Sequence, residues 1–338
     1  MLSKNISTFI ACDCEYEDAQ TVLFGAPFDG TTSFRPGTRF ASSAMRSESF
    51  GIETYSPYQD KDLEDICFYD SGALELPFGS PERALEMIEE RAAEILADGK
   101  RPCMIVCPGG AYAMCSQREA EPIAMHFLPE GFNVFVIYYS VAPHRFPTQL
   151  REVAATVELI YKNADEWNCD VSKLAIVGFS AGGHLAAHYS TMYDCKEVRE
   201  VFPESKPVNA SVLSYPVITA DPAYGHMGSF DNLLGKTERT KEEIDYFSCD
   251  RCVTEHTPPA YIWHTAADDC VPVANSLLYA GALSRCKIPF ELHVFPFGYH
   301  GSSTVDVISC DSVPESMAYV KDWLNDAKRW LKLMGIKY

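Results

Sequence analysis

Three side chains in this 338-residue sequence have the types and the order that nucleophilic catalysis requires. Ser180 is the middle residue of a Gly-Phe-Ser-Ala-Gly pentapeptide, and Asp268 and His300 follow it along the chain. A serine hydroxyl is a weak nucleophile near neutral pH, so it needs a base within hydrogen-bond reach and a third group that orients the base. The order predicts a catalytic triad with Ser180 as nucleophile, His300 as base and then acid, and Asp268 as the orienting carboxylate.

The residues around Ser180 predict a sharp turn between a strand and a helix. Residues 173–177 are a short, β-branched apolar run typical of a buried strand, and residues 184–189 have the composition of a helix start. A strand, a Gly-x-Ser-x-Gly and a helix in that order form a nucleophile elbow, in which the serine backbone is strained. Gly178 and Gly182 would then let neighbouring chain approach without a Cβ clash. A Gly/Ser turn without chemistry is the alternative.

The acid and the base each have rivals. Asp268 and Asp269 both follow the strand predicted at 260–264, and the Asp-x-x-Val-Pro spacing favours Asp268. His300 follows the strand predicted at 290–295 and precedes a glycine, which suits a base on a loop at a strand end. The other histidines considered lie on the helix after Ser180 or within strands, where packing or supporting roles are commoner; they are His184, His188, His264 and His293.

A second turn is expected to supply hydrogen-bond donors to the substrate. The sequence Pro-Gly-Gly-Ala-Tyr at 108–112 follows an apolar run at 104–106 that predicts a buried strand. The oxyanion that forms when a serine attacks an ester carbonyl needs preorganised N–H donors. We expect Ala181 to be the first donor, and Gly110 and Ala111 to be the second and third. A turn that only ends the strand is the alternative.

The elements that position these residues predict a single α/β domain. Short apolar strands at 104–106, 133–139, 173–177, 210–214, 260–264 and 290–295 alternate with helical patterns at 119–128, 148–166 and 315–333. This alternation is typical of a mostly parallel, doubly wound sheet with right-handed crossovers and helices on both faces. Residues 216–258 are predicted to be a cap insertion that shapes the pocket. The sequence of this insertion does not indicate which size of acyl group the pocket accepts.

Composition excludes several classes of function. A formal net charge of −19 opposes binding to a phosphate backbone, so no nucleic-acid partner is expected. No run approaches the ~18 apolar residues of a membrane span, and the N-terminus lacks the apolar stretch of a signal peptide. Thirteen irregularly spaced cysteines favour free thiols in a reducing cytoplasm. Cys249 and Cys252 form a lone Cys-x-x-Cys, so neither a metal nor another cofactor is predicted.

From about residue 102 to the C-terminus, several linked motifs follow one another. They are Pro-Gly-Gly-Ala-Tyr (108–112), Ser-Gln-Arg-Glu-Ala-Glu-Pro (116–122), Tyr-Ser-Val-Ala-Pro (139–143), Gly-Phe-Ser-Ala-Gly-Gly-His-Leu (178–185), Leu-Ser-Tyr-Pro-Val-Ile (213–218), Trp-His-Thr (263–265) and His-Gly (300–301). This part resembles the acetyl-xylan-esterase-like (carbohydrate acetyl esterase) family. The resemblance implies an α/β-hydrolase fold and removal of acetyl or other short acyl groups from sugar or small alcohol esters through an acyl-serine intermediate. A feruloyl esterase or peptidase on the same scaffold is the alternative activity.

Residues from about 20 to 102 resemble a different family. The segments at 23–40, 51–58 and 98–102 are similar to the opening of the agmatinase/arginase (ureohydrolase) family. The dimanganese site of that family needs Gly-Gly-Glu-His, Asp-x-His-x-Asp and Ser-x-Asp-x-Asp motifs, and none of them occurs in this sequence. Residues 1–100 are therefore interpreted as a ureohydrolase-like fragment without its metal site, and residues 101–338 as the esterase domain.

The join between the two resemblances raises further expectations. In related esterases, antiparallel strands precede the strand predicted at 104–106, so their replacement here predicts an open or rebuilt sheet edge. A catalytically impaired fusion protein is the alternative that this departure suggests. Another departure is Ala111, which stands where the family usually has a third glycine. The expected partners are a small-molecule or oligosaccharide ester and, because ureohydrolases are oligomeric, a second copy of the chain.

Overall fold

The computed structural model describes residues 7–19, 21–31, 35–57, 61–96, 99–310 and 312–337. The chain divides into two compact units, Met1–Gly99 and Lys100–Tyr338. Parts of the ureohydrolase-like segments, at residues 32–34, 58 and 98, lie outside the described residues. No helix among the described residues is both long enough and apolar enough to cross a membrane.

The first unit contains two small sheets and two helices. Its elements are β1 (Thr21–Gly25), α1 (Ala41–Ser49), β2 (Tyr55–Ser56), β3 (Lys61–Asp62), β4 (Phe68–Ala73) and α2 (Pro81–Leu96). β1 pairs in parallel with β4, and β2 pairs antiparallel with β3. Strand β4 was not predicted from the sequence.

A buried ion pair connects α1 to β4 in this unit. Arg46 donates from Nε to Asp70 Oδ2 and from Nη2 to Asp70 Oδ1, each at 2.6 Å. Asp70 also accepts the N–H groups of Phe9 and Gly72. The carboxylate of Asp70 therefore accepts four hydrogen bonds, which offset the cost of burying its side chain. Large apolar side chains remain exposed around it, among them Phe40, Met45, Phe50, Ile52, Phe78 and Leu85.

The second unit is built on one six-stranded sheet. Its elements are β5 (Arg101–Cys107), α3 (Glu121–Phe127), β6 (Asn133–Val136), α4 (Thr148–Lys162), β7 (Cys169–Phe179), α5 (Ser180–Met192), α6 (Lys196–Arg199), β8 (Ala210–Ser214), α7 (Met227–Leu234), α8 (Lys241–Phe247), β9 (Ala260–Thr265), α9 (Ala274–Arg285), β10 (Phe290–Phe295) and α10 (Trp323–Leu333). The strand order is β10-β9-β8-β7-β5-β6, and every neighbouring pair is parallel. The predicted strands of this region are confirmed, with small differences at their ends.

Apolar side chains from both faces of this sheet are buried, in agreement with the doubly wound prediction. Alternate strand residues such as Ile105 and Ile176 join one buried cluster, which includes side chains of α4, α5 and α9. The residues between them, such as Val106 and Val177, join a second cluster with α3 and α10. Because successive side chains of a strand point to opposite faces, continuous apolar strands require helices on both sides.

Several element boundaries differ from the prediction. The C-terminal helix begins at Trp323 rather than at residue 315, and short 3₁₀ turns at Glu315–Met317 and Val320–Asp322 precede it. Met317, Val320 and Trp323 are all buried, and their spacing of three residues matches a 3₁₀ turn.

Strand β6 ends at Val136 instead of residue 139. Beyond it, the chain brings the Tyr139 hydroxyl within 2.6 Å of the Pro108 carbonyl. Among the described residues, β5 is the only strand paired with β6, so this sheet edge is open.

Candidate active site

Ser180 lies at the junction of β7 and α5. Its φ of 52° lies in the left-handed region, which carries strain of about 1–3 kcal/mol for a residue with a side chain. A Cβ on Gly178 would lie 2.3 Å from the Gly182 carbonyl oxygen, and one on Gly182 would lie 2.2 Å from the Cys107 carbonyl oxygen. Both glycines are therefore required by close backbone approach, and the predicted elbow geometry is confirmed.

The structure brings the three predicted side chains into one hydrogen-bonded chain. His300 Nε2 lies 2.7 Å from Ser180 Oγ, and His300 Nδ1 lies 2.7 Å from Asp268 Oδ2. With Nδ1 protonated, the imidazole donates to the carboxylate and accepts from the serine hydroxyl. The His300 side chain is 16% exposed, so solvent and substrate can reach this chain of contacts.

Asp268 is held as a carboxylate by several donors. Its Oδ1 accepts the backbone N–H groups of Cys270 and Val271, at 2.9 and 2.8 Å. Burial by itself would raise the pKa of Asp268, but hydrogen bonds from His264, His300 and the Val271 N–H lower it well below the usual range. The Asp-x-x-Val spacing thus has a structural role, since it closes a turn on the carboxylate. The rival, Asp269, is exposed.

The other candidate histidines have packing or supporting contacts. His184 pairs Nδ1 with the Tyr112 hydroxyl at 2.8 Å and Nε2 with the Phe247 carbonyl oxygen at 2.9 Å, and burial lowers its pKa to about 4. His188 stacks on the Phe146 ring, and burial lowers its pKa as well.

His264 pairs with Ser276 and the Val271 carbonyl oxygen, and its Nε2 also lies 3.3 Å from Asp268 Oδ2. Its contact within the candidate site is therefore with Asp268. His293 lies 2.7 Å from Glu291 on the same strand, where the pair is part-buried.

The Gly-Gly turn lies directly beside Ser180. A Cβ on Gly109 would come within 2.9 Å of Ser180 Cβ, and Gly110 and Ala111 have φ values of 127° and 54°. The Gly109 N–H is already used, because it donates to Glu119 Oε2 at 2.8 Å. Within the described part of the chain, the N–H groups of Gly110 and Ala111 have no protein acceptor. Ala181 is in the first turn of α5, where N–H groups have no intrahelical partner.

The predicted cap region carries α7 and α8 and contacts the same turn. Asn232 donates from Nδ2 to the Ala111 carbonyl oxygen at 2.9 Å, and Arg145 donates to the Asn232 carbonyl oxygen at 2.6 Å. Sequence reasoning missed Asn232, because nothing near residue 232 in the sequence marks it. It also missed Glu119 and Tyr215, although both lie within motifs that the sequence shares with related esterases.

No group of three or more His, Cys, Asp or Glu side chains among the described residues is arranged to hold a metal ion. The cysteines of the Cys-x-x-Cys contact backbone carbonyl groups: Cys249 Sγ lies 3.9 Å from the His184 oxygen, and Cys252 Sγ lies 3.4 Å from the Tyr246 oxygen. Neither thiol is part of the candidate site.

Comparisons with known proteins match the two parts of the chain to different families. Residues 95–283 match the BD-FAE family, and residues 19–110 match the Arginase family. Endo-1,4-β-xylanase B of Butyrivibrio fibrisolvens is 44% identical over 214 residues, which are 60% of this chain and 33% of the xylanase. The agmatinase of Bacillus subtilis (strain 168) is 52% identical over 94 residues, 28% of this chain and 32% of the agmatinase. The chain thus spans about a third of the length of these curated relatives.

Solved structures give the fold of the second unit independently. The acetyl ester-xyloside bifunctional hydrolase from Caldicellulosiruptor lactoaceticus is 33% identical, with a TM-score of 0.63 over 71% of this chain and 86% of that chain. The first unit carries the arginase-like segment, as the resemblance implied. Because the BD-FAE match takes in more than half of the residues, the chain belongs to the BD-FAE family of α/β-hydrolase esterases.

Proposed function

We propose that this protein is a serine esterase that removes acetyl or other short acyl groups from carbohydrate or small alcohol esters. The observation that carries the proposal is the position of His300, which contacts Ser180 and Asp268 at 2.7 Å each. Ser180 in turn lies beside a turn with two unused N–H groups. Similarity to a hydrolase described as acting on an acetyl ester and a xyloside supports the choice of a small acyl group on a sugar.

In the first half of the reaction, Ser180 Oγ attacks the ester carbonyl while His300 Nε2 takes the hydroxyl proton. The negative charge that develops on the carbonyl oxygen is stabilised by the N–H groups of Ala181, Gly110 and Ala111. The imidazolium then donates the proton from Nε2 to the leaving alkoxide. The products of this half are the free alcohol and acyl-Ser180.

In the second half, water takes the place of the alcohol. His300 Nε2 removes a proton from the water as its oxygen attacks the acyl-Ser180 carbonyl, and it returns the proton to Ser180 Oγ as the carboxylic acid leaves. Asp268 keeps Nδ1 protonated and stabilises the imidazolium in both halves. Its lowered pKa maintains the carboxylate that this role requires.

The first test is hydrolysis of p-nitrophenyl acetate, butyrate and longer esters, with an acetylated xylo-oligosaccharide as the sugar substrate. Acetate turnover is expected to be fastest and to fall by at least ~10³-fold in Ser180→Ala. Ser190→Ala is the matched control, because Ser190 is a buried serine of the same helix whose hydroxyl, among the described residues, bonds only to the Ala186 carbonyl oxygen. Its turnover should match the wild type.

Three results would contradict the proposal. Turnover that survives in Ser180→Ala would show that Ser180 is not the nucleophile. Activity on feruloyl esters or peptides without acetate turnover would assign another acyl group to the same site. A folded, monodisperse protein without any turnover would mean that the chain is a catalytically impaired fusion.

A further inference from the structure

Glu119 is a buried carboxylate that the proposed reaction does not use. It is 3% exposed, and it takes part in none of the ion pairs found among the described residues. Its Oε2 accepts the Gly109 N–H at 2.8 Å, and its Oε1 accepts the Tyr215 hydroxyl at 2.6 Å. Burial raises the pKa of Glu119, whereas these two hydrogen bonds lower it. A carboxyl group in such a place is costly, so its two partners need an explanation.

The Tyr215 partner connects Glu119 to the catalytic histidine. The Tyr215 hydroxyl donates to Glu119 and accepts the Ser303 N–H at 2.9 Å. The tyrosine ring lies edge-on to the His300 imidazole, with centroids 5.0 Å apart. Tyr215 is completely enclosed and also packs edge-on against Trp263. One phenol therefore contacts both the histidine and the loop that follows it.

The Gly109 partner connects Glu119 to the oxyanion turn. A Cβ on Gly109 would lie 2.7 Å from Glu119 Oε2, 2.8 Å from the Phe179 carbonyl oxygen and 2.9 Å from Ser180 Cβ. The turn thus has no free space on the side of the nucleophile. Gly110 and Ala111 follow at once, so the direction of their N–H groups depends on where Gly109 is held.

We propose that Glu119 is a positioning residue that fixes the oxyanion turn relative to the His300 loop, through Gly109 on one side and Tyr215 on the other. The proposal rests on the proposed function, because it assigns a role within that reaction. A carboxylate suits the position because both partners donate. Glutamine would present its amide N–H to one of the two donors, which breaks or reverses one of the contacts. Misplacement of oxyanion donors by a fraction of an ångström lowers transition-state stabilisation.

The test uses Glu119→Gln and Tyr215→Phe in the full chain. Glu152→Gln is the control for the first, because Glu152 likewise accepts two hydrogen bonds, from the N–H and hydroxyl of Ser140 at 2.7 and 2.5 Å. Tyr261→Phe is the control for the second, because the buried Tyr261 hydroxyl has no partner among the described residues. Active sites are counted by stoichiometric labelling with a serine-directed phosphonate, and kcat and KM for p-nitrophenyl acetate are then measured per labelled site.

We expect kcat per labelled site to fall about tenfold or more in both variants, with KM within about twofold of the wild type, because the lost interaction acts in the transition state. Both controls should keep the wild-type kcat. An unchanged kcat per site, with fewer labelled sites or a lower unfolding midpoint, would overturn the proposal and leave Glu119 a purely structural role. If Glu119→Gln does not fold, Tyr215→Phe decides the question. Failure of the proposed function is recognised separately, as wild-type protein without turnover that depends on Ser180.

Discussion

The two units of this chain are both similar to known families, but only one of them contains a complete set of site-forming elements. In the second unit, Ser180, Asp268 and His300 follow β7, β9 and β10, three strands of one continuous sheet. In the first unit, the only parallel pair is β1 with β4 among the described residues. A segment that is similar to a family is therefore expected to share the family's chemistry only when it includes the strand ends that converge on the site.

The packing of the two units differs in the same way. The sheet of the second unit buries strand side chains on both faces, and its largest buried residues include Trp263 and Trp323. The first unit leaves Phe78, Leu85 and other large apolar side chains exposed, and Arg46 and Asp70 form a buried ion pair in it. Parallel sheets are normally covered on both faces, and a sheet of two strands is too small to be covered in this way. Four experiments test how far this contrast extends.

The largest effect is expected at the acid of the second unit. Asp268→Asn should lower kcat by about 10⁴-fold, because the amide no longer holds the correct tautomer of His300. Asp269→Asn is the matched control, since Asp269 is adjacent but exposed, and its kcat should change by less than about twofold. Steady-state hydrolysis of p-nitrophenyl acetate measures both. A large loss in Asp269→Asn with little change in Asp268→Asn would mean that Asp269 is the orienting carboxylate.

In the first unit, a substitution that strongly lowers stability should leave ester hydrolysis unchanged. Arg46→Met removes one partner of a buried ion pair and should lower the free energy of local unfolding by about 3 kcal/mol. Arg83→Met, which removes an exposed pair with Glu86 and Glu90 on α2, should leave it close to the wild-type value, because exposed ion pairs contribute little. Hydrogen exchange of β1 and β4 measures the loss. A fall in ester turnover in Arg46→Met would contradict the expectation that the stability of the first unit does not affect hydrolysis.

A smaller effect is expected from the glycines of the second unit. Gly182→Ala places a methyl 2.2 Å from the Cys107 oxygen and 2.3 Å from the Pro108 oxygen, so it should lower the free energy of unfolding by about 1–3 kcal/mol and reduce kcat. In Gly281→Ala, the nearest atom is Arg285 Nη1 at 3.6 Å, and a gain of up to about 1 kcal/mol in helix α9 is expected. Urea unfolding followed by tryptophan fluorescence measures both. If both variants changed the free energy of unfolding in the same direction, this would be evidence against the close backbone approach at Gly182.

The smallest effect is expected from metal ions. EDTA should leave acetate hydrolysis unchanged, because no step assigned to Ser180, His300 or Asp268 involves a metal. Agmatine with Mn²⁺ should release no urea, because the three ligand motifs of ureohydrolases are missing from the sequence. Colorimetric urea detection, with a complete agmatinase as positive control, measures the second outcome. Urea release would show that the first unit has a metal site built from other residues.

Local patterns were sufficient to predict the elbow and to select the residues that meet at it. Gly-x-Ser-x-Gly between a strand and a helix is readable from neighbouring residues, and Asp268 and His300 are placed by the strands that precede them. The choice of Asp268 over Asp269 as the contact of His300 was also readable, because the turn that Val271 closes is local.

Contacts between distant residues were not readable in this way. Nothing near Glu119 in the sequence indicates that its partner is Tyr215, because the two meet only after the sheet has formed. Strand β4 was missed because Phe-Tyr-Asp-Ser-Gly-Ala lacks the apolar pattern of a strand, and its Asp70 pairs with Arg46, which is 24 positions away in the sequence. The late start of α10 has a similar cause, since spacing of three and spacing of four residues are hard to tell apart over one turn.

The open edge at β6 has a consequence for how such proteins arise. The strands before Ser180, Asp268 and His300 are respectively two, four and five positions away from β6 in the sheet. Strands can therefore be gained or lost at that margin during evolution without moving the reacting groups. The two family matches overlap at residues 95–110, a stretch that contains β5. An exchange of the segment before this strand would leave in place the strands that precede Ser180, Asp268 and His300.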